Sequence, residues 1–139
     1  MKRILVDTWA WCALTNKKDT FHKIAAQIDK DLIEEGYRYV TTNFILCETY
    51  TLIRNNAIHK IAVEFGEGIE ISKSAGLIQI VHITSEIEKE AWKIFKKYED
   101  KTFSFADCPT FAVMKWQRLT EAFTNDSHFV QFGFAKRPE

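Results

Sequence analysis

The stretch Ile4-Leu5-Val6-Asp7-Thr8 decides the fold of this chain. Three consecutive aliphatic residues predict a strand that is buried on both faces, which is typical of the middle of a parallel sheet. A carboxylate and a hydroxyl follow directly, at the strand end where open α/β sheets bind their ligands. Because burying an unpaired carboxylate is costly, Asp7 is expected to have a partner there, such as a cation, a basic side chain or several N–H groups.

Length and composition favour one domain over residues 1–139. The chain is 46% hydrophobic and 14% aromatic, which is enough for a core and unlike the composition of disordered proteins. Lys and Arg together number 19, as do Asp and Glu, so no overall positive field indicates a nucleic-acid binder. A site for a polyanion would therefore depend on local charge, a bound cation or a partner.

The cysteines and hydrophobic runs indicate the cellular setting. Cys12, Cys47 and Cys108 are an odd number of widely spaced residues in apolar sequence, which predicts reduced core residues and no disulfide framework. Spacings typical of zinc ligands do not occur. With no signal-peptide pattern and no apolar run of about 18–20 residues, a cytoplasmic protein without membrane contact is expected.

Strand-like and helix-like patterns alternate along the chain. Strands are predicted at residues 4–6, 37–41, 77–83 and 122–124, with helices between them, and residues 129–134 are expected to add a last strand or half-turn. This alternation predicts an α/β fold, namely a three-layer α/β/α sandwich with a central, mainly parallel twisted sheet.

Helix starts are predicted from residues that accept backbone N–H bonds. Asp19 or Thr20 is expected to cap the second helix, and Thr42 or Asn43 the third. The pattern S-x-x-E over residues 85–88 predicts a capping box for a later helix.

Four carboxylates occupy positions that suggest a common site. Asp7 and Asp126 follow predicted strands, Asp107 begins a helix, and Glu48 lies in a helix of otherwise apolar and small residues. The carboxyl ends of parallel strands and the helix starts that follow them meet at one edge of a sheet, so these acids are expected to converge. Because like charges raise each other's pKa, a hard divalent cation such as Mg²⁺ or Mn²⁺ would be needed among them.

Each of these acids also has a purely structural interpretation. Asp107 fits a helix N-cap ahead of Pro109, Asp126 fits a turn, and Glu48 fits a solvated helix position. Asp7 is the hardest to explain in this way, because a strand end requires no acid. His128 is expected only to cap or hydrogen-bond a turn, since adjacent Ser127 and His128 rarely form a nucleophile–base pair.

Four elements of the chain, in order, resemble the PIN-domain nucleases. They comprise residues 4–8, 41–48, 104–114 and 122–129. Their order and spacing are similar to those of the VapC-type toxin ribonucleases of toxin–antitoxin pairs, and the resemblance covers nearly the whole chain. Pro109 departs from the family pattern, and it predicts a distorted or late-starting helical turn around Asp107.

The resemblance implies an Mg²⁺- or Mn²⁺-dependent endoribonuclease with an RNA substrate, a small cognate antitoxin protein and a homodimeric assembly. Four acids match the family's metal ligands, which are also its catalytic residues: Asp7, Glu48, Asp107 and Asp126. Thr8, Asn43 and Ser104 match polar groups that orient ligands or water in the family. Asp100 is a spare acid near the site and a candidate for positioning the substrate, with an ordinary loop residue as the alternative. Three basic residues near the third acid are candidates for phosphate contacts: Lys101, Lys115 and Arg118.

Two points have alternatives: which residues contact the antitoxin, and whether the protein is an active enzyme. Four aromatic residues of the early helices are candidates for the antitoxin interface, with ordinary core packing as the alternative: Trp9, Trp11, Phe21 and Tyr50. The rival function is a catalytically weak or inactive PIN-like domain that binds RNA or serves in assembly. A phosphatase of the haloacid-dehalogenase type is disfavoured, because Trp9 stands where that family has a second acid.

Overall fold

Five strands form one parallel sheet in the computed structural model, which describes residues 1–139. The strands are β1 (Arg3–Val6), β2 (Arg38–Thr42), β3 (Ile78–Val81), β4 (Glu121–Phe123) and β5 (Ala135–Arg137). Their order across the sheet is β3-β2-β1-β4-β5, and every neighbouring pair is parallel. The predicted α/β fold is confirmed, with a sheet that is entirely rather than mainly parallel.

Seven helices connect the strands: α1 (Thr8–Thr15), α2 (His22–Glu34), α3 (Asn43–Asn56), α4 (His59–Ser74), α5 (Ser85–Lys97), α6 (Asp107–Gln117) and α7 (His128–Phe132). Helices α1 to α4 pack against one another, and α5 packs against α6. The chain moves across the sheet one way from β1 to β3 and the other way from β3 to β5, so right-handed crossovers place these two groups on opposite faces. The result is the predicted three-layer sandwich.

The order of strands reverses at β1. Strands β2 and β3 lie on one side of it, and β4 and β5 lie on the other. Ligands of open α/β sheets bind at the carboxyl ends of the strands beside such a reversal. Val6 is in register with Phe123, so Asp7 and Thr124 follow their strands side by side. The fold therefore places Asp7 at the position where this class of sheet most often holds a ligand.

The core packs against both faces of the central strand. Residues 4–6 are completely buried, as the sequence predicted. Helix α6 buries most of its length, and its Phe111 ring is fully enclosed. That ring stacks on Phe132 with centroids 4.6 Å apart and meets Phe129 edge-on at 5.1 Å. These contacts fix α6 against α7, and each of the two helices carries part of the site described below.

The predicted N-caps of α2 and α3 can be compared with the residues that precede these helices in the structure. Helix α2 begins after Phe21, whose backbone N–H donates to Asp19 Oδ1 at 2.8 Å, so the prediction of Asp19 or Thr20 as the cap was wrong. The Asp19 carboxylate forms a local turn ahead of the helix instead. Thr42 caps α3 as predicted, because its hydroxyl accepts the N–H of Ile45 at 3.0 Å.

The start of α5 and the tail also differ from the sequence predictions. Thr84 caps α5 by accepting the N–H of Ile87, so the N-cap lies one residue before the predicted Ser85. The predicted capping box at residues 85–88 was therefore wrong, because the third residue after Thr84 is Ile87, which cannot complete a box. Residues 128–132 form a short helix, and the last strand follows only at residues 135–137.

Two further predictions concern the cysteines and the membrane. Cys108 is buried and Cys12 is half-buried, whereas Cys47 is exposed on α3, so the prediction of a core position fails for Cys47. No helix of the chain is both long and apolar enough to cross a bilayer.

Candidate metal and active site

The structure brings the four predicted acids to one cleft at the carboxyl edge of the sheet. The cleft has a volume of about 540 Å³ and is lined by Asp7, Glu48, Asp107 and Asp126, together with residues of α1, the segment between α1 and α2, α3 and the turn after β4. No Lys or Arg lines it. The acids therefore lie close together without a basic side chain to neutralise them, which is the situation that a bound cation relieves.

Asp7 is the most enclosed of the four acids. The Thr124 hydroxyl donates to its Oδ2 at 2.8 Å. Burial raises the pKa of Asp7 to about 6, and the charges of Asp107 and Asp126 add to the increase, while bonds from Thr124 and the Thr8 backbone oppose it. A carboxyl whose pKa approaches neutrality inside a cleft is typical of a functional site.

Glu48 extends into the cleft from α3 and is linked to the start of α1. Thr8 is buried, and its hydroxyl lies 3.4 Å from both Glu48 Oε2 and the carbonyl oxygen of Ile45. The Thr49 hydroxyl lies 3.4 Å from Thr8 Oγ1 and donates to the same carbonyl at 2.7 Å. Thr8 is thus placed where its hydroxyl can restrain Glu48.

Asp107 is held by the turn that precedes α6. Its Oδ2 accepts the backbone N–H of Ser104 at 3.2 Å, and its own N–H donates to Ser104 Oγ at 3.3 Å. The helix begins at Asp107, after Ala106, so Asp107 is not the N-cap. Pro109 is then the third helical residue, where a missing N–H breaks no bond within the helix. The late start that Pro109 predicted is therefore present.

Asp126 lies in the turn between β4 and α7. Its Oδ1 accepts the backbone N–H of His128 at 2.9 Å, and its own N–H donates to Thr124 Oγ1 at 3.1 Å. The turn interpretation of Asp126 is therefore geometrically correct, and the same turn directs its carboxylate into the cleft.

His128 lies among the acids, although the sequence interpretation assigned it only to a turn. Its Nδ1 is 3.2 Å from Asp107 Oδ2 and 3.4 Å from Asp126 Oδ1. One possible metal-ligand atom from each of these three side chains lies within 4.8 Å of the other two.

Thr124 was also missed by the sequence interpretation. Its signal is the register of two parallel strands, which places it beside Asp7.

Two predicted positioning residues lie outside the cleft. The Asn43 side-chain oxygen accepts the N–H of Ile83 at 2.8 Å, which ties the start of α3 to the segment after β3. Asp100 is largely exposed, and its nearest cation is the adjacent Lys101 at 3.5 Å. The loop before α6 points the Asp100 carboxylate into solvent, so closeness in sequence to Asp107 did not bring it to the site.

The phosphate contacts predicted for Lys115 and Arg118 do not fit the structure. Both residues follow the Asp107 turn along α6, in its last turn and at its C-cap. At 1.5 Å per residue, they lie about 12 and 16 Å from Asp107 along the helix axis. Their charges are therefore at the end of α6 away from the cleft.

Known proteins that are similar to this chain agree with the geometry of the site. The PIN domain family matches residues 4–135. The chain belongs to the PIN-domain family. It is also 31% identical over 137 residues to the 23S rRNA-specific endonuclease VapC20 of Mycobacterium tuberculosis, covering 98% of this chain and 99% of the relative. The resemblance to VapC-type PIN proteins inferred from the sequence is confirmed.

Two solved structures share the fold of this chain. The crystal structure of M. tuberculosis VapC20, described as a sarcin-ricin loop cleaving toxin, superposes with a TM-score of 0.81 at 31% identity over 95% of this chain and 96% of that one. VapBC2 of Rickettsia felis, solved bound to a DNA fragment from its promoter, gives a TM-score of 0.69 at 9% identity over 97% of each chain. At that identity the second likeness concerns the fold alone.

The donor set of the cleft fits a divalent metal ion, which PIN nucleases generally use. Carboxylate oxygens are the ligands that hard divalent cations prefer. Three of the acids approach from separate parts of the chain, after β1, at the start of α6 and after β4. Asp7 is held by Thr124, and Asp107 by Ser104, so the carboxylates are oriented before any ion arrives.

Proposed function

We propose that residues 1–139 form one PIN-like domain that hydrolyses RNA phosphodiester bonds with Mg²⁺ or Mn²⁺ and acts as the toxin of a toxin–antitoxin pair. The observation that supports it most is the convergence of four acids at the strand-order reversal, in a chain of the PIN family. The relatives bear out a toxin-type endoribonuclease, since the 31% identical M. tuberculosis protein is a named rRNA endonuclease.

We assign the metal-binding and catalytic roles to Asp7, Glu48, Asp107 and Asp126. A bound cation would supply Lewis-acid stabilisation of phosphate charge and an activated water. The chain's own residues fix where this happens. Thr124 orients Asp7, and Ser104 orients Asp107. Because no Lys or Arg lines the cleft, an RNA phosphate would be repelled by the acids unless the cation were present.

We propose ribosomal RNA as the substrate class. The support is similarity over nearly the full length to an enzyme named for 23S rRNA. The rival function, an inactive PIN-like RNA-binding or assembly module, would not require the acids. The presence of all four acids and the hydrogen bonds that orient Asp7 and Asp107 favour catalysis.

Metal dependence and one acid substitution test this function. Purified protein is expected to cleave ribosomal RNA with Mg²⁺ or Mn²⁺, and EDTA is expected to abolish cleavage. Asp107→Asn should lower the rate by about a hundredfold or more, because it removes a charge from the cation site. Asp100→Asn is the matched control, and it should keep full activity because Asp100 faces solvent. Cleavage that persists in EDTA, or in Asp107→Asn, would contradict the proposed mechanism.

We further propose that a cognate antitoxin covers the acid cleft. Trp9 and Phe21 line the cleft with their rings 5.6 Å apart, and Tyr50 is partly exposed on α3. Trp11 belongs to the core, because it is only 6% exposed and its Nε1–H donates to Thr41 Oγ1, so the core-packing alternative holds for this candidate. An acidic cleft with an aromatic rim fits a partner segment that carries a basic side chain.

Phe21→Ala tests the antitoxin surface. The expected result is weaker binding of the cognate antitoxin, by about tenfold or more, as for an aromatic interface residue. Ile33→Ala is the control, since Ile33 is exposed on the helix that follows Phe21 and does not line the cleft. Equal losses in the two variants would place the antitoxin elsewhere.

The cytoplasmic location stays a prediction.

We also propose that the protein is a homodimer and that an exposed aromatic patch forms its interface. The patch consists of Trp92 and Phe95 on α5 and Phe105 in the loop before α6, which are 52%, 40% and 41% exposed. Their ring centroids lie 5.6 to 6.2 Å apart. Contiguous exposed aromatic surface is a mark of protein interfaces.

Charges on either side of the patch favour a second copy of this chain as its partner. Glu88 and Lys96 lie one turn before and one turn after Trp92, on the same face of α5. Neither forms an ion pair within the chain, whereas two other Lys–Glu pairs on this helix do. If α5 packs antiparallel to its copy about a two-fold axis at Trp92, each Glu88 meets Lys96 of the partner subunit. A two-fold interface must be self-complementary in this way.

A further inference from the structure

The His128 ring nitrogen occupies the same small volume as two carboxylate groups. Nδ1 is 3.2 Å from Asp107 Oδ2 and 3.4 Å from Asp126 Oδ1, and these atoms come from α6, the turn after β4 and the start of α7. The His128 side chain is only 24% exposed. Of the four histidines, only His128 has a ring nitrogen grouped with carboxylate oxygens in this way. His128 is therefore the imidazole that can meet an ion held by Asp107 and Asp126.

The spacing of the three atoms fits neighbouring ligands of one octahedral ion. Mg²⁺ binds its ligands at about 2.1 Å with near-octahedral angles, which places adjacent ligand atoms about 3 Å apart. The two distances from Nδ1, 3.2 and 3.4 Å, are close to that separation. Both exceed the roughly 2.8 Å of a strong charge-assisted hydrogen bond. The two distances therefore allow Nδ1 to be a cis ligand beside either oxygen, and without an ion the 3.2 Å contact to Asp107 is a hydrogen bond of ordinary length.

Contacts on the other side of the ring hold it in this orientation. Nε2 lies 2.9 Å from Thr102 Oγ1, and the Phe103 ring packs edge-on against the imidazole with centroids 5.5 Å apart. Metal-bound histidines usually give their outer N–H to such an acceptor. Because a hydroxyl can either donate or accept, Thr102 can remain bonded to Nε2 whichever ring nitrogen carries the proton.

We infer that His128 supplies a nitrogen ligand to the ion held by Asp107 and Asp126. This inference rests on the proposed function only in requiring a divalent cation in the cleft. A nitrogen ligand favours a first-row transition ion such as Mn²⁺ over Mg²⁺, because Mg²⁺ takes oxygen ligands almost exclusively. The protein therefore prefers Mn²⁺, and His128 is the residue that sets the preference.

Pulsed EPR on the Mn²⁺-loaded protein tests the ligand directly. Electron spin-echo modulation from ¹⁴N should appear in the wild type, change to the ¹⁵N pattern when histidine is labelled with ¹⁵N, and disappear in His128→Gln. Calorimetry should give an affinity for Mn²⁺ that is at least about tenfold weaker in His128→Gln, with a smaller change for Mg²⁺. His82→Gln is the matched control, because His82 is exposed at the end of β3, and it should leave both readouts unchanged.

The outcomes separate this inference from the proposed function. Bound Mn²⁺ without histidine nitrogen modulation would overturn the ligand role of His128 and leave the nuclease proposal intact. Folded wild-type protein that binds neither Mn²⁺ nor Mg²⁺ would overturn the proposed function itself. The labelled wild type decides the ligand question even if His128→Gln fails to fold.

Discussion

Asp7→Asn is expected to lower RNA cleavage by at least about a thousandfold, which corresponds to about 4 kcal/mol of transition-state stabilisation. Asp7 lies at the centre of the cleft, between the strand-order reversal and the acids contributed by α6 and the turn after β4. Asn keeps the shape and one oxygen acceptor for the Thr124 hydroxyl, so the fold should survive. The charge that would hold the cation is lost.

The same substitution should make the metal-free protein more stable at pH 7. The pKa of Asp7 is 3.8 as an ordinary value and about 6 in the folded chain. Below pH 4 the Asp7 carboxyl is protonated in both the folded and the unfolded state, so it does not reduce the free energy of unfolding. Between pH 4 and 6 the unfolded chain loses the proton while the folded chain retains it, so stability falls with rising pH. Above pH 6 the carboxyl is ionised in both states, and its burial lowers the free energy of unfolding by about 3 kcal/mol, which corresponds to the difference between the two pKa values.

Denaturant unfolding in EDTA at pH 4.5 and pH 7.5 measures this effect. Asp7→Asn should exceed the wild type in free energy of unfolding by about 1–3 kcal/mol at pH 7.5, and the difference should shrink at pH 4.5. Asp100→Asn should follow the wild type at both pH values. Added Mn²⁺ should stabilise the wild type more than Asp7→Asn, since only the former keeps the full ligand set. An Asp7→Asn protein that is less stable at pH 7.5 would contradict the cost assigned to burial.

Reversing one charge beside the aromatic patch is expected to dissociate the proposed homodimer. Lys96→Glu places a carboxylate opposite Glu88 of the partner subunit, and the two-fold axis repeats this repulsion. Glu88→Lys should weaken the dimer in the same way, and combining both substitutions should restore it. Trp92→Ala should weaken it by about thirtyfold or more, the typical loss for a buried aromatic anchor of about 2 kcal/mol.

Sedimentation velocity over a range of protein concentrations gives the dimer dissociation constants. Lys93→Glu is the control, because Lys93 pairs with Glu90 within its own chain. A monomeric wild type would rule out the dimer. If RNA affinity instead fell in Trp92→Ala, the patch would be an RNA-binding surface.

The central strand and the four acids could be predicted because each rests on a local pattern. Residues 4–6 are uniformly aliphatic, and Asp7 stands at a strand end where nothing in the fold requires an acid. Once the sheet is parallel, strand ends and helix starts share an edge, so the meeting of Asp7 with Asp107 and Asp126 follows. The capping of α3 by Thr42 is likewise local.

Residues whose roles depend on distant pairing were not predictable. Thr124 bonds Asp7 across 117 positions of sequence, and only the register of β1 with β4 makes them neighbours. His128 meets Asp107 because α7 packs against α6 through Phe111, which no local pattern encodes. The sequence also left two alternatives open for Trp11, since a short helix can turn the same ring to the core or to solvent.

The cleft is assembled from residues that lie far apart in the chain. Asp7 follows β1, and Asp126 follows β4, 119 positions later. Because a chain is synthesised from its amino end, Asp7 is made long before the turn that carries Asp126. The acid cluster therefore forms only after β4 has been made and has paired with β1. Under the proposed function, the protein would gain its nuclease activity late in folding and have none while β4 is still missing.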